Sequence, residues 1–517
     1  MAAKESPNKR VIVPLIGQPS VRPNTDPAAS TDQIFSNCVF KKFNNPVVDG
    51  SAPWYAVAKR PGFNSQDSGT TPILHAMHGT LGASVIPSSA SHIFVKRATN
   101  DLSFVGMGGT TNVTPTGNAA STSAIARPVE GLDSNGDPVQ LTWHQKTDAA
   151  RSTCQAFIHD YVNNTVTEIT DADFPDTLLI GSFVYMDGYT FVMTTTGRIY
   201  NSALNDPTSW DATAYISTSV PAGATGRGIV KYKDMIVAFT TNSIEFFKNV
   251  GNTNGSVLQR ISELTIYGYG LDATGEATSG VSAQARASYW YYAAEDTVYW
   301  ANSATTKAGL GLYRLNGVKP EKISTNELDR RLAAAGTEYL KILGSFTLLG
   351  TQYLLCAALA DLLVYDVANN IFTFWNEPAA STNTIWPATS TPSRQYFYST
   401  EGVAYSFEAS TGESATPYST STTLSIQTRL IDFGTNKRKR INRVRLVGNA
   451  VSGTVSLSWS KDDYATFSTA RTASFSDNAA TYNNLGMGRR WSFKIEHSAL
   501  AYCQFDYLEI EYTELDK

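Results

Sequence analysis

Cysteine is scarce in this chain. Its four thiols, Cys38, Cys154, Cys356 and Cys503, lie far apart and form no C-x-x-C pair. That spacing argues against a disulfide framework or zinc ribbon and predicts reduced, buried thiols. Long apolar runs are missing too. The N-terminal run Val11 to Ile16 is interrupted by Pro14 and is too short for the core of a signal peptide. No segment approaches the ~20 apolar residues of a spanning helix, so no membrane span is expected. Neither sign of charge dominates: 41 Lys and Arg against 45 Asp and Glu leave −4, giving no bulk attraction to nucleic acid or anionic membranes.

Catalytic signatures are equally thin. There is no G-x-S-x-G elbow, H-E-x-x-H pair or P-loop. His75 and His78 have no third ligand at metal spacing and read as loop histidines. Gly106-x-Gly108-Gly109 ends a strand without a following helix, which is the wrong context for a phosphate-binding turn. No catalytic, cofactor-binding or metal-binding residue is expected, and no cofactor.

What is present is strand-forming. The chain is 42% hydrophobic with 26 Tyr and 23 Phe, and Thr, Ser, Val and Gly dominate its visible segments. At 517 residues it exceeds one ordinary core, so two or three domains are expected. Residues 1–33 carry Pro7, Pro14, Pro19, Pro23 and Pro27 without periodicity and read as an extended arm. Within it, Val11-Ile12-Val13 is suited to adding one strand to a neighbouring subunit.

From about residue 70 to 410 a unit recurs: apolar strand, tight turn, apolar strand, often an aromatic closure. It is seen at His92 to Gly106, Val139 to Thr170, Leu178 to Ser202, Val230 to Val250, Ser288 to Ile323, Leu343 to Trp375 and Arg394 to Phe407. In Leu362 to Trp375 both faces are apolar, as in a sheet packed on two sides. This period predicts a β-propeller over 34–418, of six blades give or take one. Ser324 and Glu327 resemble a capping box, predicting a short helix with Leu328 and Leu332 on one face, packed outside between two blades. From Leu424 closely spaced strands predict a C-terminal antiparallel β-sandwich over 419–517. Its last run, Tyr507 to Tyr512, alternates strictly and reads as an exposed edge strand.

One ordered series of motifs carries more than pattern. It runs V-Y-M-D-G-Y at Val184 to Tyr189, R-I-Y-N-S-A-L-N-D-P-T-S-W-D at Arg198 to Asp211, S-I-E-F-F-K-N-V-G at Ser243 to Gly251, and L-Q-R-I at Leu258 to Ile261. Upstream stand N-C-V-F at Asn37 to Phe40 and K-R-P-G-F at Lys59 to Phe63. Downstream stand V-Y-W-A at Val298 to Ala301 and G-L-Y-R-L-N-G-V-K-P-E-K-I-S-T at Gly311 to Thr325. The series resembles the packaged-DNA stabilisation proteins, or tail hub (nozzle) proteins, of short-tailed bacteriophages. It departs from them at Gly268-Tyr269-Gly270 and in the loops near Thr110 to Ser123. The resemblance implies a structural virion protein of the tail, made in the host cytoplasm, and not an enzyme. It implies a homohexameric ring below the portal and its adaptor, bound by tail fibre or spike proteins and a needle or plug. Double-stranded DNA would be retained by the ring and pass through it at ejection. The alternative is a propeller-type glycan-binding or glycan-degrading tail protein, which needs exposed loop aromatics or a central carboxylate pair.

The candidate residues are structural or interfacial. Asp187 and Gly188 form a hairpin turn; Asn205, Asp206 and Pro207 form a second, anchored by Trp210 against an adjacent blade. Lys437, Arg438, Lys439 and Arg440, joined by Arg443 and Arg445, are expected to meet an acidic partner protein rather than DNA, with an acidic and neutral lumen elsewhere. Ser460 to Phe467 resembles the Asp-box hairpin, with Tyr464 in place of glycine and Asp462 bracing the turn.

Overall fold

The computed structural model describes residues 8–16, 33–43, 54–61, 64–68, 73–76, 93–97, 102–106, 109–113, 126–145, 154–160, 165–219, 225–271, 284–285, 287–294, 296–302, 308–334, 340–358, 361–375, 385–390, 394–399, 403–408, 423–449, 453–475, 478–499 and 502–515. Over these the chain is all-β: a seven-bladed propeller and a two-sheet sandwich. The blades occupy 73–113, 129–168, 179–217, 226–267, 291–322, 341–375 and 385–408 and are numbered one to seven in that order. Innermost strands of blades two to seven touch in succession, and that of blade seven touches that of blade one.

Each apolar recurrence in the sequence has become one sheet. The count is seven, at the upper margin of the expected six. The last blade takes three strands from 385–408, and its fourth, Asn64–Ser68, arrives from upstream and pairs with Val403–Glu408. Joining the first and last blades through a distant strand fastens the ring.

The blades hold together by layered aromatic and aliphatic side chains. Blade six shows why: Leu362, Leu363, Val364 and Tyr365 are all buried, so both faces of its third strand contact other sheets. The helix Asn326–Ala334 sends Leu328 and Leu332 into the core shared by blades five and six. Its cap differs from the capping box expected at Ser324. The helix begins one residue later, so Thr325 Oγ1 accepts the Leu328 amide at 3.3 Å. Ser324 instead accepts the Leu312 amide at 3.2 Å and donates to Asp329 Oδ1 at 2.7 Å.

The sandwich draws on both ends of the chain. One sheet runs in the order Cys38–Phe43, Trp54–Lys59, Gln504–Leu515, Arg438–Asn449, Ala479–Gly488, with Lys9–Pro14 also paired to Gln504–Leu515. The facing sheet contains Ile34–Ser36, Leu424–Gln427, Ser492–His497, Thr454–Ser460 and Arg471–Ser474, and continues into blade six where Ser36 pairs with Phe374.

Three expectations are corrected here. Ile34–Ser36, Cys38–Phe43 and Trp54–Lys59 join the sandwich rather than the propeller, because Phe35, Phe40 and Val57 complete a core with Leu446, Ile495 and Leu508. The arm's Val11-Ile12-Val13 does form an added strand, but on its own chain. Tyr507 to Tyr512 is consequently a covered strand, with Leu508 and Ile510 fully buried between Lys9–Pro14 and Arg438–Asn449. The four cysteines are free and buried, and burial pushes the thiols of Cys154, Cys356 and Cys503 up to about 12, keeping them protonated.

Candidate functional site

The centre of the propeller is occupied by side chains. Arg127 precedes the inner strand of blade two, yet its Nη1 donates to the Leu343 carbonyl at 3.0 Å and its Nη2 to that of Ile342, both in blade six. Its Nε donates to Ser288 at 3.2 Å, beside blade five. In a ring of seven, blades five and six lie opposite blade two, so this side chain spans the axis. The guanidinium sits 4.9 Å from the rings of both Tyr289 and Tyr292, where aromatic faces replace water around the charge. Tyr291 reaches the other way, its hydroxyl accepting the Ser182 amide of blade three at 3.0 Å. Gly181 and Gly228 make room for it; a Cβ at either would collide with the Tyr291 hydroxyl.

The hairpin residues singled out from sequence meet on one face. Asp187 and Gly188 both have positive φ, 53° and 83°, the turn that Asp-Gly accommodates. Asn205, at φ 57°, donates its amide to the Gly188 carbonyl at 2.7 Å, and Asp187 Oδ2 accepts Asn249 Nδ2 of blade four at 3.2 Å. Asp206 Oδ1 accepts the amide of Thr208 at 2.9 Å and its hydroxyl at 2.6 Å. Trp210 is 6% exposed; its Nε1 donates to the Pro207 carbonyl at 2.9 Å and its ring stands edge-on to Phe174 at 5.0 Å. Its amide donates to Asp171 Oδ2 at 3.0 Å, so Trp210 clamps the segment leaving blade two.

The basic cluster does not stay together. Strand alternation leaves Arg438 and Arg440 exposed and turns Lys439 inward, where it is fully buried. Lys439 Nζ donates to the carbonyls of Asp432 at 2.6 Å, Arg489 at 3.1 Å, and Thr435. Desolvation pulls its pKa down. The acidic partner of the neighbouring cations is intramolecular. Arg443 pairs with Glu511, and Arg445 reaches Glu509 at 3.5 Å. From the other side Arg10 pairs with the same Glu509, and Lys9 with Glu514 at 2.9 Å.

Of the other motifs, Asp462 braces its hairpin by accepting the Thr466 amide at 3.0 Å and the Ser460 hydroxyl at 2.7 Å. These bonds, those from Thr466 first, hold its carboxyl down at about 2. Tyr464, where the motif has glycine, keeps the left-handed backbone at φ 73°. Gly106 and Gly109 close a hairpin followed by the strand Gly109–Val113; Gly108 lies outside the described residues. His78 lies outside them as well, and His75 is described by its backbone alone.

Sequence reasoning missed Arg127, since A-R-P before a strand carries no periodic signal. It read Lys59-Arg60 only as a motif, whereas both are buried and Arg60 joins the sandwich to blade six. Arg60 Nε donates to Asn37 Oδ1 at 2.9 Å and the guanidinium lies 5.4 Å from the Trp375 ring of blade six. Lys59 Nζ donates to the Ala499 carbonyl at 2.6 Å. A signal did exist for Glu245, a lone carboxylate inside the apolar run S-I-E-F-F. It is fully buried and accepts the Ser219 amide and hydroxyl at 3.0 Å.

A ring of antiparallel blades whose axis is filled, joined to a sandwich built from both ends of the chain, defines a β-propeller protein with a fused β-sandwich. Comparison with known families places it further. Residues 129–376 match the phage stabilisation family model, described as Bacteriophage P22 Gp10, beta-propeller. That match supports a bacteriophage structural β-propeller protein and implies association with the virion. Among solved structures the chain is similar to the β-propeller domain of Cps50 (Swd1) from Myceliophteria thermophila, at 8% identity and TM-score 0.39, over 67% of this chain and 99% of that one. BamB from Moraxella catarrhalis is similar at 12% identity and TM-score 0.33, over 68% and 99%. An exo-β-1,3-galactanase from Phanerochaete chrysosporium follows at 10% identity and TM-score 0.29, over 84% and 95%. No curated protein matches the chain. Among the described residues no helix is long and apolar enough to cross a membrane.

Proposed function

We propose that this protein is the tail hub, or nozzle, of a short-tailed phage. Six copies form a ring below the portal and its adaptor, retain the packaged genome, and give it passage at ejection. The carrying observation is the family match over residues 129–376. The filled propeller axis supports it: with Arg127 and three tyrosines across the centre, a duplex has no path through one subunit, and a lumen must lie between copies. The adaptor, fibre or spike proteins and a needle or plug are the partners of such a ring, and the virion tail is its place. An acidic and neutral lumen wall suits passage, because each cation–phosphate contact would retard the duplex.

Electron microscopy and sedimentation of the purified chain test the reading. The expected particle is a hollow six-fold ring that binds duplex DNA weakly at low salt. A strict monomer at high concentration, or tight and salt-sensitive DNA binding by the ring, would overturn it.

A further inference from the structure

Charge is divided unevenly along the chain. Residues 419–517 hold 13 Lys and Arg against 10 Asp and Glu, while residues 1–418 hold 28 against 35. Two surfaces concentrate this division. On the sandwich, a cleft of about 560 Å³ is lined by Arg438, Lys461, Arg489, Arg490 and Met487, together with two carboxylates. Both carboxylates are engaged: Asp462 braces its own turn through Thr466 and Ser460, and Asp463 pairs with Arg490. Lys461 lies 5.2 Å from the Trp491 ring. The guanidinium groups of Arg438 and Arg489 are exposed and have no ion pair among the described residues, and Met487 beside them is 43% exposed.

The complementary surface is on the propeller, where blade two passes to blade three. The segment E-I-T-D-A-D-F-P-D-T-L from Glu168 to Leu178 has four carboxylates and no cation. It is held in shape from within. Asp171 accepts the amides of Trp210 at 3.0 Å and Asp173 at 2.9 Å, Phe174 is buried against Trp210, and the Asp176 carbonyl accepts the Cys154 amide at 2.6 Å. Asp173 and Asp176 lie at the surface, followed by Leu178 at 45% exposure. A fixed loop offering two carboxylates and one apolar side chain matches a cleft offering two free guanidinium groups and one methionine. Little ordering is needed for them to meet.

We propose that the acidic loop 171–178 of one copy docks into the cationic cleft of a neighbouring copy, with Asp173 and Asp176 facing Arg438 and Arg489 and Leu178 against Met487. Two different patches of one chain meet here, which makes the contact heterologous and able to close into a ring. The proposal rests on the ring reading above and names the contact that builds it.

Charge reversal tests it. One variant carries Arg438→Glu and Arg489→Glu, a second carries Asp173→Lys and Asp176→Lys, and a third combines all four. Each is followed by sedimentation velocity and native mass spectrometry, with thermal melting as the check on folding. Either two-site variant alone should need at least tenfold more protein to form rings. Rings should return in the four-site variant, and in an equal mixture of the two-site variants, where copies alternate around an even-numbered ring. Wild-type rings that persist in both two-site variants would overturn this contact and leave the tail-hub reading intact. The same holds for folded variants that neither the mixture nor the four-site chain restores. If the wild type and the mixture are both monomeric, the ring reading and the contact fall together.

Discussion

Arg127 Nη1 donates to the carbonyl of Leu343 at 3.0 Å, joining the segment before blade two to the inner strand of blade six. A closed ring of blades has few contacts across its centre, so one side chain that bonds to both blade six and Ser288 acts on the whole ring. Arg127→Ala would strand buried carbonyls and leave a cavity beside Tyr289 and Tyr292. The expected loss is about 3–5 kcal/mol. Arg127→Lys keeps the charge but not the planar fork, and should lose part of that. Denaturant titration measures both; equal stability of the alanine variant and the wild type would remove Arg127 as a structural tie.

Trp210 should behave as a clamp. Trp210→Ala is expected to lose about 3–5 kcal/mol and lower the melting temperature markedly. Trp210→Phe retains the contact with Phe174 and loses the bond to Pro207, for about 1 kcal/mol. If melting is unchanged in the alanine variant while partner binding fails, the residue serves a surface site.

The N-terminal strand makes a third case. Val13 is 5% exposed and Leu15 fully buried in the sandwich core. Deleting residues 1–16 removes both, along with the Arg10 partner of Glu509. A loss of about 3–5 kcal/mol in sandwich stability follows from the burial of two such side chains. A deletion variant that melts like the wild type, yet forms rings poorly, would show that the strand is exchanged between copies.

A fourth expectation concerns acid. Burial pushes His159 down to about 3 from an ordinary value of 6.5, so the folded protein holds it neutral. Between these values the unfolded chain takes up the proton first. Stability from this group is therefore complete above pH 6.5 and declines as pH falls towards 3. The loss is about 2 kcal/mol by pH 5. His159→Leu should flatten that part of the curve, measured as urea midpoints at pH 7 and pH 5. An unchanged difference between the two pH values would assign the acid sensitivity elsewhere.

The blades were legible in advance because each is a local object. Apolar runs such as Leu362 to Trp375 and turns such as Asp187-Gly188 specify a hairpin within a few residues, and the family motifs fall on those same hairpins. Arg471–Ser474 and Ala479–Gly488 are not marked as strands by local pattern, since runs rich in Ala, Thr and Asn carry little apolar alternation. Long-range pairings were beyond local reading. Only the tertiary structure brings Asn64–Ser68 to Val403–Glu408, lays Lys9–Pro14 on Gln504–Leu515, and points Arg127 across the axis. It also decides that Lys437 to Arg440 is not one patch, because pairing buries alternate residues and supplies Glu509 and Glu511 to the cations further along the strand. Local pattern determines which strands and turns form. Which edges meet depends on burying side chains hundreds of residues apart in one core, and that is settled only when the whole chain closes.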